Sequence, residues 1–516
     1  MTGRWMLIPL ACSSLWLAGG TLPAAGPGQE IAVLLKEIGQ AINVSAWDQL
    51  GELDLIGQSN YFGVDGAVRF HVDRQGRFLL VITSPLGESR GWDGQSAWLG
   101  DRQGGWRRLH FRDEELALLL YPFIAGTWLR HQDAYEFTLL PTLPENPGLR
   151  LSIRRRGGSQ QVMLRLDPQT KRPAELRSRS RDAEVQTTFN DYREVNGLQV
   201  PMTIRQQSRG TGNVLRFTDA IPRRQPLADR YVFSPQRPTQ VWFEAGVPAT
   251  IEVKRSRTGH LLVQPRLNGR DAGNFLFDSS AGAHAIHRRL AQDLQLPTMG
   301  KLLAAGVGDS VPTQFRKATQ LELGPLRLPE QLFVELDLTA LSVALGEPIG
   351  GVLGYPLFQA AVVDLDLGGP NVALHAPGHF TLSSGQWQEL RFDGNVACLQ
   401  ARWAGVEKGG WFRLDPGAAV QVLFYSAEAS GLTSSDPAAK AGASDKPTGR
   451  AQMRSAPLKW FELAGKRFEN LQVTFPAAEG GASAGDPVVG TIGHGLLRSF
   501  RIVFDCGLGR VALIAK

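Results

Sequence analysis

The sequence is poor in cysteine, with 3 in 516 residues. That excludes a disulfide-stapled scaffold, which needs a dense set of them. Long apolar runs are also missing. Beyond the N-terminus no segment reaches the ~18 uninterrupted apolar residues of a spanning helix. One-signed charge is scarce as well, because 55 Lys and Arg face 49 Asp and Glu for a net of +6. The longest basic runs, Arg154-Arg155-Arg156 and Arg288-Arg289, are too short for the stripe that nucleic-acid surfaces concentrate. Nucleic acid is therefore not an expected partner. No HExxH or GxxxxGK[ST] occurs, so zinc-protease and nucleotide chemistry by those routes lack support. No metal and no cofactor are expected. With 43% hydrophobic and 20% charged residues the chain is globular, long enough for about three domains.

What is present falls into segments. Arg4, the apolar run Trp5 to Leu17 and the small residues through Ala24-Ala25 follow the order of a secretory signal. Residues 1–25 are read as that signal, which implies a periplasmic or secreted protein. Cys12 fits a lipoprotein box poorly, so lipid anchoring is the lesser alternative. Residues 27–237 form one unit. A helical opening, Glu30 to Leu50, leads into alternating runs such as Val68-Arg69-Phe70-His71-Val72 and Leu149-Arg150-Leu151-Ser152-Ile153. Period-two alternation with frequent turns predicts a large antiparallel sheet with one buried face, interrupted by a helix over Glu114 to Trp128. Trp92-Asp93-Gly94 with Trp98, Asp167-Pro168-Gln169-Thr170 and Tyr192 to Pro201 resemble the bacterial lipoprotein-carrier (LolA/LolB-like) superfamily. The resemblance implies a curved sheet over helices around an apolar cavity.

After a linker, 238–247, the chain repeats itself. Residues 346–374 and 485–513 align at a constant offset of 139, and ten of the 29 positions are identical, among them Gly346, Pro348, Gly351, Gly354 and Asp366. Upstream, Phe275-Leu276-Phe277-Asp278-Ser279-Ser280-Ala281 answers Phe412-Arg413-Leu414-Asp415-Pro416-Gly417-Ala418. Residues 248–380 and 388–516 are thus two copies of one β-rich module. Each has a strand ending in aspartate, a tight turn, and a predicted short helix (His284 to Leu294; Gln421 to Leu432). Each later has a pair of residues before a glycine, Val352-Leu353-Gly354 and Thr491-Ile492-Gly493.

At these residues the sequence resembles the retropepsin-like and pepsin-like aspartic peptidases. The expected architecture is mainly β: an N-terminal curved antiparallel sheet with helices, then two tandem acid-protease-like lobes. The resemblance implies one aspartate from each lobe, Asp278 and Asp415, meeting about an intrachain pseudo-twofold axis in a monomer. It also implies Gly354 and Gly493 bracing the turns, and a peptide or unfolded protein as substrate. Two carboxylates held close share a proton, and a water between them can be activated to attack a peptide carbonyl.

The turns depart from the family's Asp-Thr/Ser-Gly. Ser279 keeps the hydroxyl that in the family braces the opposite lobe, whereas Pro416 has neither hydroxyl nor N–H. Ser280 stands where Gly417 stands in the second lobe, and strain is expected if that position needs a glycine backbone. Gly306 and Gly308 lie where a flap would cover substrate. The corresponding stretch of the second copy, 433–457, reads as a flexible insertion. His284 and His287, three apart on the predicted helix, and His375 and His379 are expected to cap or face solvent rather than bind metal. A disulfide between Cys398 and Cys506 stays open. Three functions follow: an exported aspartic peptidase, a degenerate relative that binds extended peptides without cutting them, or lipid handling by the first domain.

Overall fold

The computed structural model describes residues 27–141, 150–180, 183–208, 211–305, 310–369, 371–418, 420–431, 440–446, 449–476 and 487–516. The signal segment and the flap glycines, Gly306 and Gly308, lie outside the described residues. No helix among the described residues is long and apolar enough to cross a membrane.

In the N-terminal unit alternation becomes architecture. Val68, Phe70 and Val72 are buried on one strand, Leu151 and Ile153 on another, and Val162, Leu164 and Leu166 on a third. All face one side of a 13-stranded antiparallel sheet. Two meanders, Glu52 to Arg108 and Tyr135 to Arg223, join where Glu52–Tyr61 pairs with Thr211–Arg223. The sheet curls into a half-barrel. Its inner face is covered by the helix Pro27–Ile42, which buries Leu34, Leu35, Ile38 and Ile42, and by the helical stretch from Phe111 to Arg130. Trp47 is fully buried there and donates its indole N–H to the Ala125 carbonyl at 2.9 Å.

The two C-terminal copies share one continuous core, from Ile251 through Phe412 to Leu513. A six-stranded sheet runs across both. At its centre Val362–Asp366 pairs antiparallel with Phe500–Asp505, matching Val363 to Phe504, Asp364 to Val503 and Leu365 to Ile502. Under the offset of 139 this register maps onto itself, so the pseudo-twofold axis passes between Asp364 and Val503. The linker is not loose. Trp242–Phe243 adds to the edge of Leu326–Leu336. Cys398 and Cys506 are both buried and not disulfide-bonded.

Three local expectations give way to the structure. His284–His287 is a strand, not the start of a helix, and only Arg288–Asp293 is helical. Pairing of that strand with Gly351–Leu353 on one side and Leu326–Leu336 on the other outweighs its helical propensity. In the second copy Val422–Phe424 is likewise a strand, with a helix only over Ala427–Ser430. The described part of 433–457 is not irregular. Lys440–Lys446 pairs with Gly449–Leu463 as a β-hairpin, anchored by the buried Met453, Ala456 and Leu458.

Candidate active site

Each aspartate stands at the end of a strand whose neighbour is the strand leading to the repeated glycine of its own lobe, Gly354 or Gly493. Phe275–Phe277 runs parallel to Gly351–Leu353, and Val406–Asp415 runs parallel to Val488–Gly493, with Phe275 opposite Gly351 and Phe412 opposite Gly490. Both glycines are required by space. A Cβ on Gly351 would lie 2.1 Å from the Phe275 ring, and one on Gly490 would lie 2.8 Å from the Phe412 ring.

The turns that follow repeat bond for bond. The Asp278 Oδ1 accepts the Ser280 N–H at 2.8 Å, and the Asp415 Oδ1 accepts the Gly417 N–H at 3.0 Å. The Ala281 N–H donates to the Asp278 carbonyl, as the Ala418 N–H does to the Asp415 carbonyl. The Ala281 and Ala418 carbonyls then accept N–H groups from Tyr355 and His494, each at 2.8 Å. These two residues directly follow Gly354 and Gly493, which press against the same carbonyls. The site is thus assembled twice from one set of backbone contacts.

The departures from symmetry are in the side chains. Ser280 has no positive φ, so the expected strain is absent and the position does not need glycine. Its hydroxyl instead donates to Asp278 Oδ1 at 2.7 Å, and it also stabilises the Asp415 carboxylate. A hydroxyl has one hydrogen to give, so it serves one carboxylate at a time. Among the described residues Ser279 makes no cross-lobe brace, for its buried hydroxyl finds no hydrogen-bond partner there. Pro416 offers none either. Thr491 is accommodated by a 2.7 Å hydrogen bond with the Tyr425 hydroxyl. Burial and then the charge of Asp278 raise Asp415 above the ordinary carboxylate range, against the opposing pull of Gly417 N–H and the Ser280 hydroxyl.

A group that binds its proton more tightly folded than unfolded loses stability as pH rises through its folded pKa. Asp415→Asn is therefore expected to melt higher than the parent at pH 7, with the gap closing below 3.8, the ordinary value. Thermal unfolding at pH 3 and pH 7 checks this. A variant that melts lower at pH 7 contradicts it.

His284 is not a ligand candidate. Burial pushes it down to about 3, and its neutral ring accepts the Gly354 N–H at Nδ1, 3.1 Å away. His287 faces the other way and caps the helix through the Arg289 N–H. His375 packs on the Phe380 ring. The one grouping among the described residues with metal-like spacing is Glu52, Asp54 and His71, far along the chain from the aspartates. Arg230 Nη1 contacts all three members, so a guanidinium fills that position.

Two residues escaped the sequence reading. His260 Nε2 lies 2.6 Å from the Gly417 carbonyl, and Asn395 Nδ2 donates to the Gly282 carbonyl at 2.8 Å. Both stand at tips of the first hairpin of their copy. Aligning the copies further upstream would have paired those tips, but not their partners in the opposite lobe.

Residues 263–357 match the family model described as "Aspartyl protease". The match takes in Asp278, Ser279, Ser280 and Gly354. Among solved structures the chain is similar to a LolA superfamily protein from Nitrosomonas europaea, with 15% identity, a TM-score of 0.29, and 40% of this chain and 99% of that chain covered. It is also similar to a DUF1329 family protein from Desulfovibrio piger, with 12% identity, a TM-score of 0.28, and 38% and 96% covered. A search of curated proteins finds no match. Its first lobe makes this chain one that carries an aspartyl protease-like region, with Asp278 at the turn and Gly354 behind it.

Proposed function

We propose that this chain is an exported, single-chain aspartic peptidase that hydrolyses peptide bonds with a water activated between Asp278 and Asp415. The observation that carries the reading is the twofold repetition of the aspartate turn, with the charge of Asp278 raising Asp415. In this mechanism the ionised carboxylate takes a proton from the water while the protonated one donates to the peptide carbonyl oxygen. The pair titrates as a unit, so its two steps belong to both residues. An extended peptide suits a strand edge such as Lys440–Lys446, which ends the sheet of the second lobe and can take a further strand by backbone pairing. A peptide library incubated from pH 3 to pH 7 tests the proposal, and no cleavage at any pH overturns it.

A specific observation favours a second reading, peptide binding without cleavage. The Ser280 hydroxyl is bonded to Asp278 Oδ1 and pulls against the rise of Asp415, which puts it beside the place an attacking water needs. If that hydroxyl displaces the water, Ser280→Gly is expected to raise kcat by at least about tenfold with little change in KM, measured on the same library. An unchanged or lower kcat in Ser280→Gly rejects displacement.

Lipid handling has less support. The inner face of the N-terminal sheet holds a cavity of about 220 Å³, lined by Leu80, Ile82, Phe189 and Leu215 with the Glu88–Arg90 pair at one side. That lies below the roughly 300 Å³ at which small-molecule pockets begin. Export itself is tested by fractionation and by sequencing the mature N-terminus, expected near Ala24 or Ala25.

A further inference from the structure

We infer that His260 and Asn395 hold the two aspartate turns in register, each acting across the lobe boundary, and that Arg107 extends this brace into the N-terminal sheet. The kinetic consequence rests on the peptidase reading, but the geometry does not.

The need for a brace follows from what the turns lack. Among the described residues Ser279 Oγ finds no hydrogen-bond partner, and Pro416 has nothing to donate, so there the turns are not tied through their own second residues. The first hairpin of each lobe supplies the tie instead. In the first lobe the ring of His260 is oriented by the Thr258 hydroxyl at Nδ1, 2.7 Å away, while the His260 N–H donates to Ser256 Oγ at 3.0 Å. With Nδ1 accepting from Thr258, Nε2 carries the hydrogen and donates to the Gly417 carbonyl of the second lobe. Gly417 is the same residue whose N–H holds Asp415 Oδ1. One peptide turn thus connects a first-lobe histidine to the second-lobe carboxylate.

The reciprocal contact is held from outside the lobes. Asn395 Nδ2 donates to Gly282 O in the first lobe, and its Oδ1 accepts from Arg107 Nη2 at 2.6 Å. The same nitrogen reaches the Gly394 carbonyl at 2.8 Å. Asp113 accepts the Gly394 N–H at 3.0 Å, so the hairpin tip is gripped from both sides. Arg107 is 5% exposed and lies over the rings of Tyr355 and Phe392, at 5.7 and 5.3 Å. Tyr355 in turn donates its N–H to Ala281 O in the first aspartate turn. Arg107 therefore touches both the hairpin tip that reaches Gly282 and the residue that supports Ala281. A buried guanidinium with charge-assisted bonds and two ring faces is a rigid anchor. On this reading the N-terminal unit is part of the site's scaffold.

The experiment uses the full chain and the variants His260→Ala, His260→Gln, Asn395→Ala and Arg107→Lys. Small displacements at such a site cost up to about a hundredfold in rate. His260→Ala, Asn395→Ala and Arg107→Lys are each expected to lower kcat by about tenfold to a hundredfold with KM held within about twofold. Gln places an amide N–H where the imidazole Nε2–H stands, so His260→Gln is expected to recover kcat to within about threefold of the parent. Amide hydrogen exchange supplies a readout independent of catalysis. His260→Ala is expected to speed exchange at Gly417 and Ala418, and Asn395→Ala at Ala281, with core strands unaltered. Unchanged exchange in these turns overturns the brace. So does faster exchange with an unchanged kcat, or a His260→Gln variant as impaired as His260→Ala. If the parent cleaves no peptide, the exchange arm alone decides the brace, and only the peptidase reading fails.

Discussion

Asp278→Asn and Asp415→Asn are each expected to reduce peptide cleavage by about 10²–10⁴-fold, the range that a positioned acid or base contributes. Asn keeps the shape of the carboxyl and its acceptor oxygen, so Ser280 N–H and Gly417 N–H retain their partners and the turns should persist. What is lost is a carboxyl that can take up and release a proton. Both variants should therefore fold, bind peptide and fail to cut. Because the groups work as a unit, the double variant should be scarcely worse than either single one. Steady-state cleavage at the optimum pH of the parent, with far-ultraviolet circular dichroism as the folding control, makes the measurement. Retention of cleavage in either single variant removes that aspartate from the mechanism.

The second large effect concerns the glycines behind the turns. A Cβ on Gly354 would lie 2.3 Å from the Ala281 carbonyl oxygen and 2.6 Å from that of Ala283. On Gly493 it would lie 2.3 Å from Val420 O and 2.6 Å from Ala418 O. These are backbone atoms, which cannot rotate aside as a side-chain tip can. Accommodating the methyl must move the aspartate turn or separate the parallel strand pair beside it. Gly354→Ala and Gly493→Ala are thus expected to destabilise by about 3 kcal/mol each, the upper part of the range for overpacking, and to abolish activity even where folding survives. Gly378→Ala is the control, since nothing lies within 4 Å of its added Cβ and its φ is not positive. Its stability in urea should match the parent. A Gly354→Ala chain as stable as the Gly378→Ala chain would show that the turn yields freely.

Much of the site was legible because it is written twice. The two aspartates, the two glycines and the order of blocks between them recur at nearly fixed spacing, and the structure gives both copies the same hydrogen bonds. Ser280 shows where such reading falters. By analogy with Gly417 it promised strain, yet the backbone there never needed positive φ, and the hydroxyl found the carboxylate. His284 to His287 shows a different failure. Spacing by three suggests one helical face, but in a strand it puts the two rings on opposite faces, one buried and one capping a helix. The stretch 433–457 misled for a third reason. A strand edge is satisfied by backbone pairing, so small and polar side chains do not prevent a hairpin.

By itself the sequence determined the β character of the chain and the duplication that sets Asp278 and Asp415 at matching places in the two copies. Each of these is encoded by local periodicity or by repetition along the chain. Tertiary structure alone decided what touches the aspartate turns from the opposite lobe and from the N-terminal unit. His260 and Gly417 are 157 positions apart, and Arg107 and Asn395 are 288 apart. No local pattern records such contacts, because they arise only when the self-matching pair Val362–Asp366 and Phe500–Asp505 brings the lobes together and the N-terminal sheet docks on the hairpin tip.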